Sequence, residues 1–189
     1  LRLLELLELQ TGERASTREI SSDETHFIVV HQVFELWFKL VINELRGARD
    51  LLVSDPVPEE NIPRAVHTLG RVTEIFRLMA DQWKVMETLT PQDFLLFRDH
   101  LGTASGFESW QMREIEYLIG LDNSERGFEM DPLAHYRKLA LEVPDYQYGL
   151  ECLEKVIAEP SLVDVLSRWL ARTPIQGSFS GDEDDEEIV

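Results

Sequence analysis

The sequence predicts an all-α protein, a helical bundle of long antiparallel helices, on three observations. Apolar residues recur at spacings of three and four over long stretches, as on the buried face of an amphipathic helix. Strand-like alternation and the dipeptides typical of hairpins are nearly absent. Helix-starting and helix-ending residues, such as Thr90-Pro91 and Gly120, separate the periodic stretches.

The first half of the chain is predicted to form one short helix and two long ones. A Leu-rich helix covers residues 1–10. Asp23 is the predicted N-cap of a helix over residues 24–52, whose apolar stripe makes it the core helix. After a proline-rich loop, residues 62–87 show the same amphipathic pattern. The short loop predicts that the two long helices pack antiparallel.

The second half is predicted to form shorter helices. Thr90 and Pro91 are typical of the N-cap and the first residue of a helix, so a third helix is predicted to begin here, after the two long ones. This helix carries Phe94, Phe97, Arg98 and Leu101. Small residues at 102–106 break it, and a fourth helix runs over 107–120. Three further helices are expected at 133–141, 146–157 and 161–172.

Composition predicts one helical domain over residues 1–172, followed by an acidic flexible loop or tail over residues 173–189. A chain of 189 residues with 43% hydrophobic content can bury one ordinary core. From residue 173 onward, Gly, Ser and acidic residues dominate, which disfavours packing. The chain opens on Leu1, without a methionine or a signal-peptide pattern. We therefore expect the chain to be incomplete at its N-terminus.

Charge and cysteine content exclude several classes of partner. The formal net charge is −18 and no Lys/Arg cluster occurs, which excludes a phosphate-binding surface for nucleic acid and disfavours an anionic membrane. Charged residues interrupt every apolar stretch before it reaches the roughly 20 residues of a membrane span. The single Cys152 forms no internal disulfide, and no zinc-binding spacing is present. These features favour a cytoplasmic protein without a nucleic-acid or membrane partner.

Three features are candidates for chemistry, and spacing alone leaves two interpretations of each. His31 lies on the apolar face of the 24–52 helix, where an imidazole is either a bonded core residue or a ligand-binding group. Arg98 lies on a mostly apolar face and either extends to solvent or binds a buried anion. The small residues at 102–106 form either an ordinary turn or a place where a flat ligand approaches the backbone.

Two segments together resemble the tryptophan 2,3-dioxygenase family. The first contains His31-Gln32 followed by Glu35-Leu36-Trp37. The second contains Arg98 followed by Ser105-Gly106-Phe107, with Ser109, Gln111, Arg113 and Glu116 behind it. The resemblance extends from residue 1 to about residue 172 and implies a haem b cofactor and an indole substrate.

The resemblance also implies roles for the substrate-binding residues. The matching histidine of the family accepts a hydrogen bond from the indole N–H, so His31 is the expected catalytic acceptor. Phe27, one turn earlier, is expected to pack against the indole ring. Arg98 is expected to pair with the substrate carboxylate. Phe94 and Leu101, on the same helix as Arg98, complete the expected substrate-binding set.

The resemblance implies a haem-facing wall as well. Ser105 and Gly106 are expected beside the haem, with Ser105 also in a catalytic role, because a small hydroxyl and a bare backbone permit close approach. Trp83 is assigned to the cofactor-binding set, with core packing as its alternative role. The implied function is insertion of O₂ across the indole C2–C3 bond of L-tryptophan to give N-formylkynurenine, in the kynurenine route, by a homotetramer.

Departures from the family pattern leave two alternatives open. His26, Glu108 and Met112 differ from the family's usual residues, which favours a related haem monooxygenase acting on a modified tryptophan in a biosynthetic pathway. None of the five histidines matches the family's haem-ligating histidine, so no metal ligand is assigned and the resemblance implies that the chain is incomplete at its C-terminus as well. The five are His26, His31, His67, His100 and His135. A truncated, haem-less paralogue that binds an indole or a partner chain is the second alternative.

Overall fold

The computed structural model describes residues 1–11, 18–101, 109–121 and 131–173, and no strand occurs among them. The α-helices in these ranges are α1 (Leu3–Leu7), α2 (Ser22–Leu52), α3 (Asn61–Met86), α4 (Pro91–Phe97), α5 (Trp110–Ile119), α6 (Pro132–Glu142), α7 (Gln147–Ile157) and α8 (Leu162–Arg172). Short 3-10 helices occupy Arg98–Leu101 and Pro144–Tyr146. The all-α prediction is confirmed.

Helix caps follow the sequence signals with one exception. The Thr90 side chain accepts a hydrogen bond from the Asp93 amide at 3.2 Å, as predicted for the start of α4. Asp23 is not the cap of α2: the Glu24 amide donates to Ser21 Oγ at 3.1 Å, and the helix already begins at Ser22. Because Ser and Asp cap helices equally well, the sequence alone did not separate the two positions.

The chain divides into two compact units. Unit 1 comprises Leu1–Leu40 and Thr73–Ser109, and unit 2 comprises Val41–Val72 and Trp110–Val189. Helices α2 and α3 each contribute one end to each unit. The predicted boundary at residue 172 stays a prediction, since residues 174–189 lie outside the described residues.

Among its described residues, unit 1 has a small set of buried apolar side chains. They are Val30, Ile75, Met79 and Phe97. Gln82 of α3 donates to the Val30 carbonyl of α2 at 3.4 Å. Helix α1 is held to α2 by Gln32, which accepts from the Gln10 amide at 2.6 Å and donates to the Leu9 carbonyl at 3.1 Å.

Unit 2 has a larger core. Helices α5 and α6 pack against α7, and α5 also packs against α8. Two hydrogen bonds show that α2 and α3 run antiparallel in this unit. Arg71 donates to Glu44, whereas Asn61, which precedes Arg71 on α3, donates to the carbonyl of Leu51, which follows Glu44 on α2. Helix α5 ends as predicted at Gly120, whose φ of +92° is a conformation that favours glycine.

Helix α2 is long and apolar enough to cross a membrane by length and composition, with an 18-residue window of mean hydropathy 1.3. The expectation that no stretch of the chain reaches this limit is therefore wrong for α2. The core helix of a globular protein meets the same criterion. Only 17% of that window is buried in the structure, although Val41, Leu45 and Leu52 of α2 are buried side chains.

Candidate functional site

Unit 1 brings together the rings of three predicted site residues and of Phe97. We call these four residues, Phe27, His31, Phe94 and Phe97, the aromatic cluster. The Phe27 ring centroid lies 4.1 Å from that of His31, 5.5 Å from that of Phe94 and 5.7 Å from that of Phe97. Residues 27 and 31 share one face of α2 because they are four positions apart. The two segments identified in the sequence thus meet in space.

The hydrogen bond of His31 fixes the role of its ring nitrogens. His31 Nδ1 lies 2.8 Å from the backbone carbonyl oxygen of Phe27. A carbonyl oxygen only accepts, so Nδ1 carries the proton and donates. In the neutral imidazole this leaves Nε2 as an acceptor. The cluster therefore offers a hydrogen-bond acceptor beside a group of tilted aromatic rings, which suits a flat ligand with an N–H donor.

The aromatic cluster is buried at one side and accessible at the other. Phe97 is only 2% exposed, whereas Phe27, His31 and Phe94 are partly exposed. Phe97 therefore anchors the cluster in unit 1, and the other rings keep apolar surface that a ligand could cover. Partly exposed rings with one directed polar atom are typical of small-molecule sites.

Arg98 and Leu101 follow the cluster along the chain. Arg98 begins the 3-10 helix directly after Phe97, and Leu101 ends it. The third predicted helix is thus α-helical only as far as Phe97 and tightens afterwards. Both side chains are half-buried. Arg98 is therefore the residue directly after Phe97, a member of the aromatic cluster.

Trp83 lies in a second aromatic group. Its ring centroid is 5.2 Å from that of Phe34, which in turn lies 6.1 Å from that of Phe38. Trp83 is 52% exposed, so a fully buried core role does not describe it. Its assignment to the cofactor remains a prediction.

Several predicted residues are not placed with the cluster. Ser105, Gly106 and Glu108, together with the small-residue break at 102–106, lie outside the described residues. Met112 lies on α5 in unit 2. The expected haem-facing wall therefore remains a prediction.

Sequence reasoning missed Glu24, a completely buried carboxylate on the site face of α2. Glu24 is 0% exposed and precedes Phe27 by three residues and His31 by seven, which is one helix face. Arg18 Nη2 donates to both of its carboxylate oxygens, at 2.7 and 2.6 Å. Such a charge-assisted pair offsets the cost of burying the carboxylate. The sequence spacing does indicate that Glu24 shares a helix face with Phe27 and His31. It does not indicate that the Glu24 carboxylate is buried.

His26 shows a second feature of α2. Its Nε2 atom is buried and has no hydrogen-bond partner in the structure. Buried polar atoms are normally bonded, so this one is an exception. Among the described residues, no group of three His, Cys, Asp or Glu side chains is close enough to hold a metal ion.

Comparison with known proteins gives a consistent match. The family model for tryptophan 2,3-dioxygenase matches residues 1–182. Tryptophan 2,3-dioxygenase of Sorangium cellulosum is 43% identical over 177 residues, which are 92% of this chain and 42% of that protein. Tryptophan 2,3-dioxygenase 2 of Ralstonia nicotianae is 44% identical over 179 residues, 92% of this chain and 47% of that protein.

A more distant relative gives the same result. Tryptophan 2,3-dioxygenase of the mosquito Anopheles gambiae is 39% identical over 153 residues, 80% of this chain and 37% of that protein. The chain thus spans less than half the length of these curated relatives. Because the family model covers nearly the whole chain, this protein belongs to the tryptophan 2,3-dioxygenase family.

Proposed function

We propose that this chain supplies the indole-binding side of the active site of a haem-dependent tryptophan 2,3-dioxygenase. The reaction inserts O₂ across the C2–C3 bond of the L-tryptophan indole and gives N-formylkynurenine. The observation that carries the proposal is the aromatic cluster, in which Phe27 lies 4.1 Å from a His31 ring whose Nε2 is an acceptor. Membership of the family supports the choice of substrate and reaction.

Each group has a separate task in binding the substrate. The Phe27 ring packs against the indole, and His31 Nε2 accepts the indole N–H, so the pair fixes which edge of the ring faces the reaction. The Arg98 guanidinium binds the α-carboxylate through two parallel hydrogen bonds. Phe94 and Leu101 flank the substrate on the same segment. Holding the ring at two ends leaves it in one orientation, which lowers the entropic part of the barrier.

We assign a haem b cofactor to one side of this arrangement. The exposed edges of Phe27 and His31 are apolar apart from one acceptor nitrogen, which suits the substrate side of a flat macrocycle. Ser105, Gly106 and Trp83 are the proposed haem-facing residues. When bound, the haem supplies the chemistry of O₂. The protein side chains orient the indole, bind its carboxylate and exclude water.

The assembly proposed is a cytoplasmic homotetramer. Its support is helix α1 and its flanking residues: α1 buries none of its residues, and the segment exposes five leucines, Leu1, Leu3, Leu4, Leu7 and Leu9. Exposed apolar segments of this kind are typical of subunit contacts. Because the chain spans less than half of its relatives, the activity and the assembly both belong to the whole protein rather than to these residues alone.

The experiment is an absorption spectrum of the purified, reduced protein with haem supplied, followed in air after addition of L-tryptophan. A haem band with growth of the formylkynurenine absorbance is the expected result. A haem band without that product contradicts dioxygenation of L-tryptophan. Absence of a haem band contradicts the cofactor assignment and leaves a haem-less protein that binds an indole or a partner.

One observation favours a second candidate, a haem monooxygenase acting on a modified tryptophan. The residue that motivates it is His26, which departs from the family pattern and whose buried Nε2 has no hydrogen-bond partner in the structure. Product mass separates the two reactions, because a monooxygenase adds one oxygen atom and a dioxygenase adds two.

A further inference from the structure

Unit 2 contains a polar groove between α2 and α3, which we call the Gly47 groove. Its volume is about 360 Å³. Helices α2 and α3 line it with Asn43, Glu44, Gly47, Asp50, Leu51, Arg64 and Thr68. This volume is within the range of about 300–1,000 Å³ that is common for small-molecule clefts. Nothing in the proposed dioxygenase reaction uses these residues.

The groove is open because Gly47 has no side chain. A Cβ atom built on Gly47 would have nothing within 4 Å. Glycine in the middle of a helix costs about 1 kcal/mol relative to alanine, so the helix gives up stability at this position. The bare backbone, with Leu51 one turn further along the same face of α2, forms an apolar floor.

The walls of the groove carry both signs of charge. Arg64, on the α3 side, has no hydrogen-bond or ion-pair partner among the described residues. On the α2 side, Glu44 Oε1 is held by Arg71 at 2.7 Å, and Asp50 Oδ1 is held by Arg49 at 2.9 Å. Each of these pairs uses one carboxylate oxygen, which leaves the second oxygen to accept a further hydrogen bond. Asn43 and Thr68 add neutral polar groups.

We propose that the Gly47 groove binds a small α-amino acid with an apolar side chain. The ligand carboxylate pairs with Arg64, and the ligand ammonium donates to the second oxygen of one of the two carboxylates, Glu44 or Asp50. The apolar side chain lies over Gly47 against Leu51. A ligand with only one charge would use either Arg64 or a second carboxylate oxygen but not both, so the zwitterion fits best.

The test is a titration of the ¹⁵N-labelled protein with L-leucine, followed by the amide shifts of Gly47 and Thr68. Saturable shifts in the millimolar range are expected, because the groove is open and the contacts few. Two single-charge analogues are titrated in parallel: 4-methylpentanoate, which lacks the ammonium, and isopentylamine, which lacks the carboxylate. Both are expected to bind about tenfold more weakly or less. Equal binding of either analogue would overturn the assignment of a zwitterion.

Two variants and one control locate the site. Arg64→Gln is a surface change and is expected to weaken L-leucine binding about tenfold or more. Gly47→Leu fills the groove and is expected to abolish binding. Gly70→Leu is the control, because Gly70 is also helical with nothing within 4 Å of an added Cβ but does not line the groove. Binding that survives both groove variants, or no saturable shift in the native protein, would refute the proposal. Neither readout requires haem, so the result is independent of the dioxygenase reaction.

Discussion

Unit 1 and unit 2 hold their side chains in different ways. Among the described residues, unit 1 has few buried apolar side chains, and its aromatic rings other than Phe97 are partly exposed. Unit 2 has most of the buried apolar residues and also ties its helices with ion pairs, Arg46–Glu114 at 2.8 Å and Arg49–Glu159 at 2.7 Å. The unit with the looser core contains the candidate active site. Surface that is not used for packing remains available for a substrate or a subunit contact.

The two units should therefore respond differently to substitution. Changes in unit 1 are expected to act mainly on binding, and changes in unit 2 mainly on stability. A binding defect caused by a unit 2 packing variant, or a large loss of stability from a unit 1 site variant, would break this distinction.

The largest effect is expected from Arg98→Ala in unit 1. Loss of a bidentate, charge-assisted pair with the carboxylate is worth about 2–4 kcal/mol, so KM for L-tryptophan should rise about 30- to 1,000-fold. Steady-state kinetics of the haem-supplied protein measure it. Arg137→Ala is the matched control, since that exposed arginine pairs with Glu154 in unit 2. An unchanged KM in Arg98→Ala would sink the carboxylate assignment.

A packing effect of about 1–3 kcal/mol is expected from Gly149→Ala in unit 2. A Cβ at this position would lie 2.9 Å from Trp110 Cγ and 3.0 Å from Trp110 Cβ, where α7 meets α5. Trp110 is also stacked edge-on against Tyr148 at 5.4 Å, so its ring has little room to move. Urea unfolding measures the loss of stability.

Gly47→Ala is the control for this packing prediction. The space around Gly47 is open, so only helix propensity changes, and stability should increase by about 1 kcal/mol. If both glycine variants changed the free energy of unfolding by the same amount and sign, the close packing of α5 on α7 would be wrong.

The smallest effect is a pH dependence in unit 2. The hydrogen bond from Arg49 holds the pKa of Glu159 below its ordinary value. A carboxylate with a lowered folded-state pKa stabilises the fold above its unfolded pKa, and this contribution disappears as the pH falls through the folded value. Glu159→Gln should therefore cost about 1 kcal/mol at neutral pH, and the difference from the native protein should shrink below about pH 4.

Thermal or urea unfolding at several pH values measures this dependence. Glu154→Gln is the matched control, because its pair with Arg137 is exposed at both side chains and surface pairs contribute little. A Glu159→Gln difference that stayed constant with pH would show that the Arg49 pair does not stabilise unit 2.

Local features of this fold could be predicted from the sequence. The caps at Thr90 and Ser161 depend on a side chain bonding an amide three residues on, which is a purely local contact. The aromatic cluster was also predictable in part, because Phe27 and His31 share a helix face. That Phe94 and Phe97 pack on them follows only from the tertiary fold.

Other features depend on contacts that no local pattern contains. Burial of Glu24 requires Arg18, which reaches it from the connector before α2. The Gly47 groove exists because α3 passes a helical glycine without filling the space, and a glycine in a helix does not indicate this by itself. The division into two units likewise cuts across α2 and α3, whose sequences show one continuous amphipathic pattern each.

The most direct test of the indole site removes one proposed hydrogen bond, from the indole N–H of the substrate to His31 Nε2. L-tryptophan is compared with its benzothiophene analogue, in which sulfur replaces the indole N–H, by equilibrium binding to the haem-supplied native protein and to His31→Phe. The native protein should bind the analogue about tenfold more weakly, and His31→Phe should not discriminate between the two ligands. Equal binding of both ligands by the native protein would contradict the assignment of His31 as the acceptor of the indole N–H.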